Sequence, residues 1–164
     1  MRVGRILTAL SFAVAMSGLG WAMPWKIQPG FGVGPITLSA DPRVADGSLV
    51  REDTMKSGGQ PIWIKYKEGL ELHMERSKVL QIIVHNATMS TKQGPVELEG
   101  EGGIKVGMTV AQMEQVLGRN YQARDLKGTA KTQPTETYYA YTSKGIGCIA
   151  RQGRVFQIAI WPKK

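Results

Sequence analysis

Two histidines, one cysteine and a run of alternating glutamates are the side chains best suited to chemistry in this 164-residue chain. A metal held by imidazole needs ligands that converge. His73 and His85 lie on the two arms of a hairpin pattern whose turn falls at Ser77. His73 then sits opposite Gln81, four residues along the strand from His85, which is roughly 13 Å at about 3.3 Å per residue. One ion cannot bridge that gap, so both read as exposed strand residues. Cys148 lies between Ile146 and Ala150 on an apolar parity, and no histidine accompanies it in its half of the chain. It reads as a buried, inert thiol, and as the only cysteine it can form no intramolecular disulfide. Glu97, Glu99 and Glu101 alternate in a Gly-rich stretch. A calcium cluster is conceivable, but EF-hand spacing and its terminal glutamate are missing, and a solvated acidic linker is preferred. Gly30-Phe31-Gly32-Val33-Gly34 does not open a helix with nucleotide-binding spacing. No Gly-x-Ser-x-Gly or Ser/His/Asp arrangement is evident. The expectation is a non-enzyme without metal or cofactor.

The elements that would carry these residues are written twice. Residues 69–85 (GLELHMERSKVLQIIVH) and 145–161 (GIGCIARQGRVFQIAIW) align without a gap at an offset of 76. Gly69/Gly145, Val79/Val155, Gln81/Gln157 and Ile82/Ile158 are identical. Each copy is an alternating apolar run, a polar turn (Arg76-Ser77-Lys78, then Gln152-Gly153-Arg154) and a second β-branched run, the pattern of a β-hairpin. Residues 62–66 (IWIKY) precede the first copy as a strand. Residues 137–141 (TYYAY) precede the second, with Trp63 and Tyr139 again 76 apart.

Organisation follows from the repeat. Arg2 and Arg5, an apolar stretch over 6–16 and small residues at Gly20 and Ala22 read as a signal peptide over 1–22. The apolar run is shorter than the about 20 residues a membrane span needs. Residues 23–86 form a first module and 103–164 a second. The polar, Gly-rich stretch 87–102 reads as a linker. In the second module Thr109 and Gln112 make a capping box, and Val110, Met113, Val116 and Leu117 form an apolar stripe ended by Gly118. In the first, Asp41 is placed as an N-cap and Pro42 at the first helical position, with only a turn of helix credible before Gly47. Residues 24–34, 49–60 and 120–136 read as loops. The fold class expected is α+β: two tandem modules, each a short helical segment followed by a three- to four-stranded antiparallel sheet.

The stretch 104–118 (IKVGMTVAQMEQVLG), a Tyr-rich strand and the closing Gly-Ile and Gly-Arg-Val hairpin resemble the SmpA/OmlA family of envelope proteins. Two such modules in tandem also resemble the β-lactamase inhibitor protein family, which implies a sheet packed over helices. The resemblance covers 103–161 directly and 27–85 through the hairpin and the duplication. It rests on glycine, turn and core positions, so it speaks to fold more than function. The lipid-bearing cysteine of the first family is absent, so a soluble, unanchored periplasmic or extracellular protein is expected.

Alternation sorts the sheet residues into two faces. Ile62, Ile64, Leu70, Leu72, Met74, Ile82 and Val84, with Tyr138, Ala140, Ile146, Cys148, Ala150, Ile158 and Ile160, are expected to face inward. The opposite parity carries Glu71, Gln81, Ile83, His85, Ile149 and Gln157 and, with them, seven residues suited to an interface: Trp63, Lys65, His73, Tyr139, Tyr141, Arg151 and Trp161. These seven are the candidate partner-binding residues, because Trp, Tyr and Arg anchor interfaces. The competing reading is that they pair across strands and stabilise the sheet, with Trp161 covering Gly145. Net charge is +8, and +6 once Arg2 and Arg5 are removed. The charges are scattered, so a nucleic-acid patch is not expected. The function expected is an exported binding or structural protein of the cell envelope that recognises another protein. The alternatives are charge-driven contact with anionic polymer or membrane surface, and hydrolase inhibition. Oligomeric state is not legible.

Overall fold

The computed structural model describes residues 24–126 and 135–163; the expected signal peptide lies outside them. In chain order, β1 (Trp25–Gln28), β2 (Gly32–Val33) and β3 (Ile36–Thr37) lead into a one-turn helix, α1 (Arg43–Asp46). A meander follows: β4 (Arg51–Ser57), β5 (Gln60–Tyr66), β6 (Leu70–Glu75) and β7 (Lys78–Val84). β8 (Thr88–Thr91) and β9 (Gly94–Gly100) come next, then a 3₁₀ turn (Glu101–Gly103) and α2 (Val110–Leu117). A second meander closes the chain: β10 (Gln122–Leu126), β11 (Glu136–Tyr141), β12 (Ile146–Arg151) and β13 (Arg154–Ile160).

The described residues are 54% strand and 14% helix. This corrects the expected α+β pair of helix-and-sheet modules: the protein is mostly β, built from two sheets. The two meanders join into one eight-stranded sheet, ordered β10-β11-β12-β13-β7-β6-β5-β4. A separate five-stranded sheet, β3-β2-β1-β9-β8, comes wholly from the first hundred residues. The segment read as a linker supplies β8 and β9. Met89, Thr91, Val96 and Leu98 are buried in it, and the alternating Glu97 and Glu99 are the outward residues of β9. Each segment read as a loop likewise contains a strand: β1 and β2, β4, and β10. β4 and β10 are the edges of the large sheet, and every described side chain on them is at least partly exposed. An edge strand with no buried face has no apolar period to read.

The repeated hairpin is duplicated down to its irregularity. Both two-residue turns have positive φ at each central position, 49° and 64° at Arg76 and Ser77, 50° and 74° at Gln152 and Gly153. That is the type I′ geometry whose twist matches antiparallel strands. A register shift falls between His73 and Met74 in β6, and between Ile149 and Ala150 in β12, again 76 apart. The copies meet where β7 pairs with β13: Ile82 faces Ile160, Ile83 faces Ala159 and Val84 faces Ile158. Because 82 corresponds to 158 and 84 to 160, the seam is self-complementary, as in an isologous dimer. Its pseudo-twofold passes through Ile83 and Ala159.

The helices correspond too, at an offset of 68. Ser39 N donates to Val79 O (2.7 Å) and Val79 N to Ala40 O (3.1 Å). Gly107 N donates to Val155 O (2.7 Å) and Val155 N to Met108 O (2.9 Å). Thus Asp41 matches Thr109, Asp46 matches Glu114 and Arg51 matches Arg119. Both bonds of the Thr109/Gln112 capping box are made. In the first copy Asp41 Oδ1 accepts from Arg43 N (2.9 Å). Gly47 stands where α2 continues with Gln115, and the first helix ends there. The corresponding helix acids each bind the corresponding arginine, Asp46 to Arg51 at 2.5 Å and Glu114 to Arg119 at 3.0 Å. The core lies between the inner face of the large sheet and a layer made of the small sheet and α2. Ile64, Tyr66, Leu72, Val84, Ile146, Cys148 and Ile158 meet Ile27, Leu49, Leu98, Ile104 and Met113 there.

Candidate functional site

The large sheet turns its other face outward, and its register lays the side chains in three rows. The middle row, through the pseudo-twofold, is Asp53, Lys65, Glu71, Ile83, Ala159, Gly147, Ala140 and Gln122. One flanking row runs Met55, Trp63, His73, Gln81. The other, related by the twofold, runs Gln157, Ile149, Tyr138, Arg124. His85 and Trp161 occupy matching positions where β7 and β13 end. His85 N donates to Gly69 O (2.9 Å) and Trp161 N to Gly145 O (3.1 Å).

The two halves of this face have diverged at equivalent positions. In the first, Glu71 accepts from Trp63 Nε1 (3.0 Å), and His85 Nε2 lies 3.1 Å from its other oxygen. That nitrogen is shielded from water and lies off the line a hydrogen bond requires. In the second, the place of Glu71 is taken by Gly147, and the place of His85 by Trp161. A Cβ on Gly147 would stand 2.6 Å from the Trp161 ring and 2.8 Å from Tyr138. The two rings therefore lie over the bare backbone, their centroids 6.5 Å apart. A polar Trp-Glu-His cluster in one half faces an aromatic pair in the other, with Ile83 and Ala159 between them.

Of the sequence-chosen residues, Trp63, Lys65, His73, Arg151 and Trp161 are on this face and half-buried or exposed. Lys65 pairs with Glu52 at 2.8 Å. Arg151 is bound to Glu136, with Nε at 3.0 Å, and its guanidinium lies 4.6 Å from the Phe156 ring centre. Tyr139 and Tyr141 are on the opposite, inward face, which corrects their assigned parity. Tyr141 is fully buried and donates to Gly118 O (2.9 Å); Tyr139 packs edge-on to Tyr121 at 5.1 Å. The cause is one extra residue. Three residues separate β5 from β6, but four, 142–145, separate β11 from β12. Trp63 therefore corresponds to Tyr138, not Tyr139, and Tyr138 and Ala140 face outward. The aromatic cover also falls on Gly147 rather than Gly145. Gly145 instead meets the Trp161 carbonyl and the backbone of Gly30.

The chemistry within reach is limited. Burial pushes the Cys148 thiol up to about 12, which keeps it protonated. Burial also raises Tyr66 and Tyr141 above the ordinary phenol value. His73 faces Gln81 across the hairpin, as the turn requires. Among the described residues no group of three His, Cys, Asp or Glu side chains is placed to hold a metal. None of the described helices is long and apolar enough to cross a membrane. No protein-family model, curated protein or solved structure matches the chain. The functional reading therefore rests on the chemistry of the outward sheet face.

Proposed function

We propose that this is an exported, non-enzymatic binding protein of the cell envelope that recognises another protein through the outer face of its eight-stranded sheet. The observation that carries the reading is the pattern on that face. Half-buried aromatic and imidazole side chains stand in both halves of it, Trp63 paired with His73 in the first and Tyr138 and Trp161 closed over Gly147 in the second. Large, half-exposed aromatic side chains spread over a sheet face suit a folded partner, since interface energy concentrates in such anchors. The excess of basic residues favours a partner with acidic residues at its rim.

Capture from envelope extract with residues 23–164 as bait tests it. The parent is expected to take one protein at both low and moderate salt. A Trp63→Ala/Trp161→Ala variant of unchanged circular dichroism is expected to lose it. Broad capture that vanishes with salt and ignores the variant would assign binding to net charge and overturn the reading.

A further inference from the structure

Away from the outer sheet face, a cavity of about 1010 Å³ opens between β1, the end of α2 and the turn before β12. Its position follows from two close approaches. β1 runs parallel to β9, with Ile27 beside Gly100, which brings the turn at Glu101 against β1. Gly30 N donates to Gly145 O (3.1 Å), which brings Lys144 alongside. The stem of Lys163 lies over the α-carbon of Gly30 and so across the β1–β2 turn.

The lining divides by polarity. Ile27 and Leu117 are buried at the floor, with Val116 beside them, and Phe31 stands 56% exposed at the wall. Lys26, Lys144 and Lys163 are all exposed, and Glu101 is the one carboxylate among the lining residues. Among the described residues, the seven ion pairs and the side-chain hydrogen bonds use none of these three amines. An apolar floor under a rim of net charge +2 is complementary to an amphiphilic anion. The volume is in the range of small-molecule sites. α2 presents its C-terminal, partially negative end here. The anionic head must therefore sit at the lysines, with its apolar chain running over Val116 and Phe31.

We infer that this cavity binds a free single-chain alkyl carboxylate, its head paired with Lys26, Lys144 and Lys163 and its chain laid on Ile27, Phe31 and Val116. Calorimetric titration of the purified protein with laurate tests it. Dodecyltrimethylammonium, inorganic phosphate and anionic phosphatidylglycerol vesicles run as separate arms. Saturable one-to-one binding of laurate is expected, with the cationic amphiphile and phosphate each at least about tenfold weaker. A Lys26→Gln/Lys144→Gln/Lys163→Gln variant is expected to weaken laurate by about tenfold or more, and Phe31→Ser to weaken it without altering circular dichroism. Absence of saturation, equal binding of the cationic amphiphile, or parent-like affinity in the triple variant would overturn the inference. Binding of vesicles without laurate would also overturn it and assign the lysines to a membrane surface.

Discussion

Individual side chains show how the two copies are fastened, and where they differ. Tyr66 donates to Asp46 Oδ1 at 3.0 Å and Tyr141 to Gly118 O at 2.9 Å, so each meander is tied to the end of its own helix by one buried phenol. Tyr66→Phe and Tyr141→Phe should each destabilise the protein by about 1 kcal/mol in urea unfolding, the ordinary net contribution of one hydrogen bond, since Asp46 Oδ1 keeps its bond from Arg51 Nε at 2.6 Å. An unchanged midpoint would show that water satisfies those oxygens instead. Cys148, with its thiol held at about 12, should resist an aromatic disulfide reagent at pH 8 and react stoichiometrically in denaturant. Asp41 is held down at about 2, first by its hydrogen bond from the Arg43 side chain. Its folded value lies below its unfolded one, so its contribution is present above about pH 4 and fades as pH falls toward 2. Asp41→Asn should therefore flatten the acid limb of the stability profile and leave neutral pH less affected.

Elements reveal what the sequence could and could not disclose. The hairpins were legible because Leu70, Leu72, Met74, Ile146, Cys148 and Ala150 are buried on one side, so alternation records the fold. α2 was legible from Thr109, Gln112 and Gly118, whose chemistry is local. β4 and β10 were not, since an edge strand in water carries no period. β8 and β9 were hidden by Gly94-Pro95 and by glutamates that mimic a linker. The inverted parity of β11 came from one residue in a turn, and only the ladder counts that residue. These readings give two stability tests. Thr109→Ala should cost about 1 kcal/mol by removing the bond that the Thr109 hydroxyl accepts from Gln112 N, while the backbone N–H of residue 109 keeps its bond to Gln112 Oε1. Arg76→Asn should raise stability by roughly 0.5–1 kcal/mol, because asparagine tolerates the positive φ that arginine resists. A loss of stability there would mean that the Arg76 stem contributes packing that outweighs the relief of strain.

The whole molecule behaves as an internal dimer. A self-complementary seam joins two meanders into one sheet, and a second sheet, drawn only from the first hundred residues, covers part of the common inner face. The outer face inherits the twofold in its rows and breaks it in its chemistry, with Trp63, Glu71 and His85 against Tyr138, Gly147 and Trp161. That asymmetry suits a partner without twofold symmetry. It was only partly legible in the sequence: Trp63, Glu71, His73 and Trp161 share the outward parity by alternation, whereas Tyr138 alternates with the inward set. The most direct test places a photo-crosslinking amino acid at Gln81 and, separately, at its twofold mate Gln157, with Glu97 on the small sheet as control. The account predicts the same crosslinked partner from both outer-face positions and none from Glu97. Equal capture from all three positions, or capture from Glu97 alone, would contradict it.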